Sequence, residues 1–318
     1  AALAGLYDPL GNENGMYGSS MITQFDYSDE SWGGNSNTTT GMMVYNFDFT
    51  TPQITELWRN CYTGIDRANR LIANINVASM DSTARQAILG EALFLRGFYH
   101  FMLVSNFGDV PLKLKPTTSP EGLNVDRTPS ETVYKQVLAD MKAAEGRVYE
   151  ITKFGHASRV SKSAVQGILA RVYLKMAGYP LNGGTAGSAA MYDSARTYCR
   201  KVMNSGLHSL NPSYSQVFIN HAANTFELKE SIWELDVSGN TSSVPRIDGQ
   251  FGIQNGILYQ PTGQLLADSG YSWGFAYVNK ALYDKYDVYD ARRDWNVANF
   301  TYGVDNARVT LARNPISN

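Results

Sequence analysis

From Thr55 onward apolar residues recur every three or four positions: Leu57, Trp58, Cys61, Tyr62, Ile65, Ala68, Leu71, Ile72 and Ile75. That period puts one side chain after another on a single face, so the spacing predicts an amphipathic helix. A second helix is predicted after Asp81, with Ile88, Leu89, Ala92, Leu93, Leu95, Tyr99 and Met102 on its apolar side. It should stop at Asn106-Phe107-Gly108-Asp109, where Gly108 supplies a C-terminal stop. Thr128, Pro129 and Glu131 read as the N-cap, N1 and N3 positions of a third helix, a capping box, with Val133, Tyr134, Val137, Leu138, Met141 and Ala144 on its buried face. A fourth runs from a Ser161 cap through Ala164, Ile168, Leu169, Val172, Tyr173 and Met176 to Gly178. A fifth, Met191 to about Asn204, should bury Tyr192, Ala195, Cys199 and Val202 and stop at Gly206. Successive amphipathic helices joined by short loops must cover one another's apolar faces, which predicts a helical stack.

Either side of that stack the pattern breaks. After a short opening helix, Leu3 to Thr51 is dense in Gly, Asn, Ser and Thr, and Ser31 to Gly41 shows no apolar period, as expected of a surface loop. Beyond Pro212 the helical signal fades. Ser231 to Asn240 is predicted as a strand on Ile232, Leu235 and Val237, and the following residues interleave glycines with Phe251, Tyr259, Tyr271, Trp273 and Phe275. One more helix is predicted from Tyr277 to Tyr286, carrying Val278, Leu282 and Tyr283. The expected organisation is a single domain: an opening helix and loop over 1–54, helix pairs over 55–211 and a loop-rich half over 212–318.

Composition narrows the function. The 27 Lys and Arg against 29 Asp and Glu, with no basic block, argue against nucleic acid as a partner. Charged residues are only 18%, below the roughly 25% of an average soluble protein, and aromatics reach 12%. A chain short of charge and rich in Tyr, Asn and Gly reads as extracellular. Its apolar runs of about four or five residues are far short of the roughly 20 that span a bilayer, so no transmembrane helix is expected. The opening AALAGLYDPL lacks the charged and apolar regions of a signal peptide, and the natural N-terminus is expected to have been removed. Cys61 and Cys199 belong to no C-x-x-C pair and are expected to be buried free thiols. An extracytoplasmic setting would permit a disulfide between them, but spacing alone does not supply the Cα separation it needs.

The chemistry of most enzymes is missing. The histidines His100, His156, His208 and His221 lie at no metal-ligand spacing, and there is no G-x-S-x-G nucleophile elbow. The stretch Gly183 to Ser188 lacks the Lys of a phosphate loop and reads as an inter-helix connection. Asp284, Asp287 and Asp290 miss the calcium-loop pattern and read as a solvated face or as salt-bridge partners of Lys285, Arg292 and Arg293. Carboxylate pairs for glycoside hydrolysis are a matter of fold geometry, and nothing local points to them. No catalytic residue, cofactor or metal is expected, and calcium has no support in the sequence.

The segment Ala164 to Pro180, with small residues at Ala164, Gly167 and Ala170 followed by Tyr173 and Pro180, resembles a tetratricopeptide repeat. Over a longer stretch the chain resembles the SusD-like (RagB/SusD) family of outer-membrane nutrient-binding lipoproteins of Bacteroidetes. The match is carried by LWRNCYTGIDRANRLIANI (Leu57 to Ile75), GEALFLRGFYHFMLVSNFGDVPL (Gly90 to Leu112), RTPSETVYKQVLADM (Arg127 to Met141), RVSKSAVQGILARVYLKMAG (Arg159 to Gly178) and the region from Pro261 to Trp295. The resemblance implies a mainly α fold, a tetratricopeptide-like superhelix supporting an irregular loop-rich half with a few short strands. It further implies non-catalytic capture of a glycan at the cell surface and delivery to a SusC-like TonB-dependent transporter, with an N-terminal lipid anchor. Members of the family are longer, so truncation at both ends is expected.

The family's aromatic platform varies, so the site is chosen from local chemistry. Trp32 lies in the polar loop SDESWGGNS, and Tyr271 and Trp273 lie in SGYSWGF among glycines, where burial offers no reason for a large ring. These are the candidate ligand platform; Tyr259, Gln264 and Asp268 are weaker rim candidates. Trp58, Trp233 and Trp295 sit in helix or strand patterns and are expected in the core, with Arg96 and Tyr99 in networks between helices. Peptide or other nutrient capture, and a protein-binding helical scaffold, remain open beside glycan capture. The loop location of the unexplained aromatics favours small-molecule or glycan capture over a scaffold's concave face, while peptide capture, which also uses aromatic pockets, stays open.

Overall fold

The computed structural model describes residues 2–11, 16–17, 30–33, 42, 45–120, 124–181, 187–236, 252, 256–264, 271–303, 305 and 307–310, the side chains of residues 32, 33 and 276 excepted. The chain divides into two compact units: Ala1–Pro9 with Trp58–Asp236, and Leu10–Leu57 with Val237–Asn318.

The first unit is built of helices: α1 (Ala2–Gly11), α2 (Pro52–Asn74), α3 (Ser82–Phe107), α4 (Ser130–Glu145), α5 (Lys162–Ala177), α6 (Ala189–Met203) and α7 (Gln216–Ala222), the first two running on into the second unit. From α3 to α6 each packs on the next. Helix α3 is its centre. Asp81 caps it by accepting the Ala84 N–H at 2.8 Å, and Gly108, at φ +70°, ends it as expected. The predicted one-sided apolar face is too modest, because Phe94, Leu95, Phe98, Tyr99, His100 and Leu103 are all at most 1% exposed and spread well beyond one face. By length and composition α3 would pass for a membrane span, yet it is mostly buried in protein, as the core helix of a globular unit is.

Polar groups tie the unit together at depth. Arg96 donates through Nε and Nη2 to Asp140 on α4, both at 2.7 Å, and through Nη1 to Asn69 on α2 at 3.0 Å. Tyr99 donates to the Leu6 carbonyl of α1 at 2.6 Å, so both residues serve the inter-helix networks expected of them. Tyr7 on α1 donates to Glu91 at 2.6 Å while accepting the Val160 N–H at 3.0 Å, and burial beside the Glu91 carboxylate pushes the phenol well above its usual range. Gly97 lets α4 approach closely: a Cβ there would stand 3.3 Å from both Asp140 and Met141.

Several local expectations change. Helix α4 begins at Ser130 with Pro129 as its cap residue, and the cap hydrogen bond comes from Asp109, which accepts the Ser130 N–H at 2.7 Å, in place of the Thr128 capping box. Helix α6 buries Ala195, Tyr198 and Val202, leaving Tyr192 43% exposed and Cys199 exposed. Two adjacent stripes compete on that helix, and the one with Tyr198 wins by stacking on Tyr173 at 5.6 Å. Cys61 is buried, as expected, and burial pushes its thiol far up. Ser231 to Asp236 forms no strand; residues 237–240 lie outside the described residues. This segment instead seats Trp233 edge-on against Phe94 and Phe98, both at 5.1 Å. Trp58 is half-buried between Tyr62 and Phe107. Trp295, on a six-residue helix at the surface, is 47% exposed and not core.

The second unit is mostly irregular, with two small antiparallel pairs. Strand β1 (Ser31–Gly33) pairs with β2 (Ala276–Val278), and β3 (Phe300–Tyr302) with β4 (Arg308–Thr310). Tyr277 and Val278, expected as the start of a helix, belong to β2, and the helix that follows is short: α8 (Lys280–Lys285), then α9 (Ala291–Asn296). The acids do not share one helical face. Asp284 pairs with Lys280 rather than Lys285, and Asp290 caps α9 and pairs with Arg292. Of the glycine-rich stretch, residues 183–186 lie outside the described residues, while Ser188 is the N-cap residue of α6.

Candidate functional site: an inverted aromatic stripe

Exposure alternates with a period of two from Tyr271 to Phe275 and recurs at Tyr277, the alternation that an extended chain gives its side chains, with Gly274 in the left-handed region between Trp273 and Phe275. Tyr271, Trp273, Phe275 and Tyr277 therefore share one side, and they are 38%, 42%, 46% and 42% exposed. Between them Ser272 is 9% exposed and Gly274 is buried. This reverses the usual arrangement, with small residues inside and large rings outside.

Backbone contacts hold the stripe in that orientation. Ser272 and Tyr259 exchange both hydrogen bonds, N–H to carbonyl at 2.7 and 3.0 Å, and the Ser272 hydroxyl donates to the Gly252 carbonyl at 3.2 Å. Gly274 has φ +63°, and a Cβ there would stand 2.9 Å from the Leu258 backbone nitrogen, so the close approach of the two segments depends on glycine. The Leu258 carbonyl accepts the Thr301 hydroxyl at 2.7 Å and the Tyr302 N–H at 3.3 Å, which brings β3 alongside. The rings support one another: Trp273 stacks on Phe275 at 5.9 Å and 6°, and Tyr271 stands edge-on to Trp273 at 5.2 Å. Each such pair contributes about 0.5–1.5 kcal/mol beyond burial.

The structure brings most of the sequence-chosen positions onto this framework. Tyr271 and Trp273 form the stripe. Trp32 is the register partner of Tyr277 in the β1–β2 pair, though its side chain lies outside the described residues. Tyr259 is bridged to Ser272, and its ring meets Tyr302 edge-on at 5.4 Å, leaving it half-buried. Gln264 is exposed and follows Gly263, which has φ +62°. Asp268 lies outside the described residues. Phe275 and Tyr277 were not among the chosen positions; their signal was the period of two from Tyr271 to Tyr277, hidden because Tyr277 also reads as the start of a helix. On the flank of the unit, Asp290 is held down to about 2 by hydrogen bonds from Arg292. Among the described residues no group of three or more His, Cys, Asp or Glu could hold a metal ion.

Comparison with known proteins places this architecture. The family model described as SusD-like_3, "Starch-binding associating with outer membrane", matches residues 1–174. The chain is 27% identical over 244 residues to SusD-like protein P2 of Formosa agariphila, covering 76% of this chain and 44% of that protein. A solved SusD homolog from Bacteroides thetaiotaomicron matches with a TM-score of 0.85 and 25% identity, over 100% of this chain and 60% of that one. Surface glycan-binding protein A from Bacteroides uniformis matches with a TM-score of 0.69 and 21% identity, over 98% of this chain and 65% of that one. The chain thus spans less than half the length of the Formosa relative and 60% of the Bacteroides thetaiotaomicron structure. The fold is mainly α and tetratricopeptide-like. With the family model matched over more than half of its residues, the chain belongs to the SusD-like family.

Proposed function

We propose that this chain captures a glycan without catalysis, at the outer surface of the outer membrane, and serves its delivery to a SusC-like TonB-dependent transporter. The observation that carries the reading is the inverted stripe: Tyr271, Trp273, Phe275 and Tyr277 exposed over buried Ser272 and Gly274. Rings held out of a core by their own backbone keep apolar surface available to a ligand. Pyranose rings carry C–H-rich faces that pack on aromatic faces, while their hydroxyls require hydrogen-bonding groups at the rim. We assign the platform to Trp32, Tyr271 and Trp273, extended by Phe275 and Tyr277, with Tyr259, Gln264 and Asp268 toward the rim. The starch-binding description of the family and the glycan-binding name of the Bacteroides uniformis protein support the ligand class. Transporter partnership and lipid anchorage rest on the family resemblance.

The test is a glycan array on the chain beside Trp273→Ala and Phe275→Ala, with far-UV circular dichroism as the folding check. Binding to a polysaccharide class is expected, weakened about tenfold or more in each variant, equivalent to roughly 1.4 kcal/mol. A folded chain that ignores every glycan yet captures extended peptides through Trp273 would replace glycan capture by peptide capture.

A further inference from the structure

The two units differ in charge far more than the whole chain's net charge of -2 reveals. The helical unit holds 20 Lys and Arg against 16 Asp and Glu, a net +4. The unit bearing the stripe holds 7 against 13, a net -6, and residues 10–57 contain neither Lys nor Arg. The elements that build the platform carry no formal charge at all: Ser31–Gly33, residues 256–264, residues 271–279 and Phe300–Tyr302 contain no Asp, Glu, Lys, Arg or His. Four of the unit's seven basic residues are already engaged. Lys280 pairs with Asp284, Arg292 with Asp290 and Arg293 with Asp294, and the Arg308 guanidinium lies 3.7 Å from the centre of the Phe300 ring.

Recognition of a uronate or a sulfate ester draws on cationic donors at the ligand, most effectively a bidentate Arg; the platform elements supply none of their own, and the guanidinium beside them, Arg308, lies against the Phe300 ring. Bringing a polyanion to an uncharged platform on a unit of net -6 also works against the unit's own field. We infer that the ligand of this site is an uncharged polysaccharide, selected against uronic-acid and sulfated glycans by the charge of the unit that displays the stripe. The inference rests on the glycan reading of the stripe and narrows it to a substrate class.

The experiment is isothermal titration of the whole chain and of Trp273→Ala with amylopectin, laminarin, xylan and galactomannan, with carboxymethylated derivatives of whichever binds, and with alginate and polygalacturonate. Each titration is run at about 20 mM and about 500 mM NaCl, salt concentrations that span weak to nearly complete screening. A neutral polysaccharide is expected to bind through Trp273, and its carboxymethylated derivative to bind about tenfold weaker at low salt, the gap narrowing as salt screens the repulsion. Equal binding of parent and derivative overturns the charge selection. An anionic polysaccharide that binds through Trp273 and weakens with salt also overturns it while leaving glycan capture standing. Binding of no polysaccharide by the folded chain, or binding that Trp273→Ala leaves unchanged, overturns glycan capture and the charge selection together.

Discussion

In the helical unit Phe94, Phe98 and Tyr99 are at most 1% exposed, and Trp233 closes edge-on over both phenylalanines. In the other unit Tyr271, Trp273, Phe275 and Tyr277 are left 38–46% exposed. The residue types are the same; the backbone beneath them decides their use. A helix ringed by other helices places every side chain against a neighbour, so its rings give up their apolar surface when the chain folds. A segment with small residues on its inner side places its rings outward, so part of that surface stays open to solvent. The helical unit also buries an ion pair, Arg96 with Asp140, beside exposed pairs such as Lys135 with Glu131, while each ion pair of α8 and α9 in the second unit has a partner open to solvent.

The contrast can be broken most sharply at Asp140. Asp140→Ala leaves the Arg96 guanidinium buried without its carboxylate, and should cost about 3–5 kcal/mol of stability, read from urea unfolding by far-UV circular dichroism. A loss below about 1 kcal/mol would mean that the ion pair is not what ties α3 to α4. Next comes pH. Burial holds His100 down to about 4, against 6.5 for a free histidine. The unfolded chain takes up the proton that the folded chain refuses, so this contribution is complete above about pH 6.5 and is lost as pH falls toward 4, by about 3 kcal/mol in all. His100→Gln should flatten that slope in a series of unfolding midpoints between the two limits. The smallest effect is local to the stripe. Gly274→Ala meets both a positive φ and the Leu258 backbone, and should cost about 1–3 kcal/mol. A changed near-UV signal from Trp273 and weaker glycan binding, with α-helical content intact, would show that the two units respond separately; loss of helix would show that they do not.

The helices were legible because burial on one side writes a period of three to four into the chain, and the stops at Gly108 and the cap at Ser161 are local signals. What was not legible depended on partners distant in sequence. The cap of α4 comes from Asp109, 21 residues away, where local reading offered Thr128. The α6 stripe was displaced because Tyr198 finds Tyr173, a preference invisible within α6 itself. Residues 231–236 have strand-like composition, but Trp233 is committed to Phe94 and Phe98 rather than to a strand partner. At the site, Tyr271 and Trp273 stood out for want of a core to bury them, whereas Phe275 and Tyr277 needed the alternating exposure to be seen as their continuation.

The cap supplied by Asp109 also bears on how the chain holds its shape over time. Val110 bridges to Thr128 beside it, with the Thr128 N–H donating to the Val110 carbonyl at 3.0 Å, so the residues that follow α3 hold the start of α4, alongside the local bonds to the Pro129 carbonyl. A 16-residue helix cut out as a peptide would lack that partner and be marginally helical in water. Hydrogen exchange at the Ser130 amide is therefore expected to follow the opening of its bond to Asp109, so that the start of α4 and the residues after α3 open together.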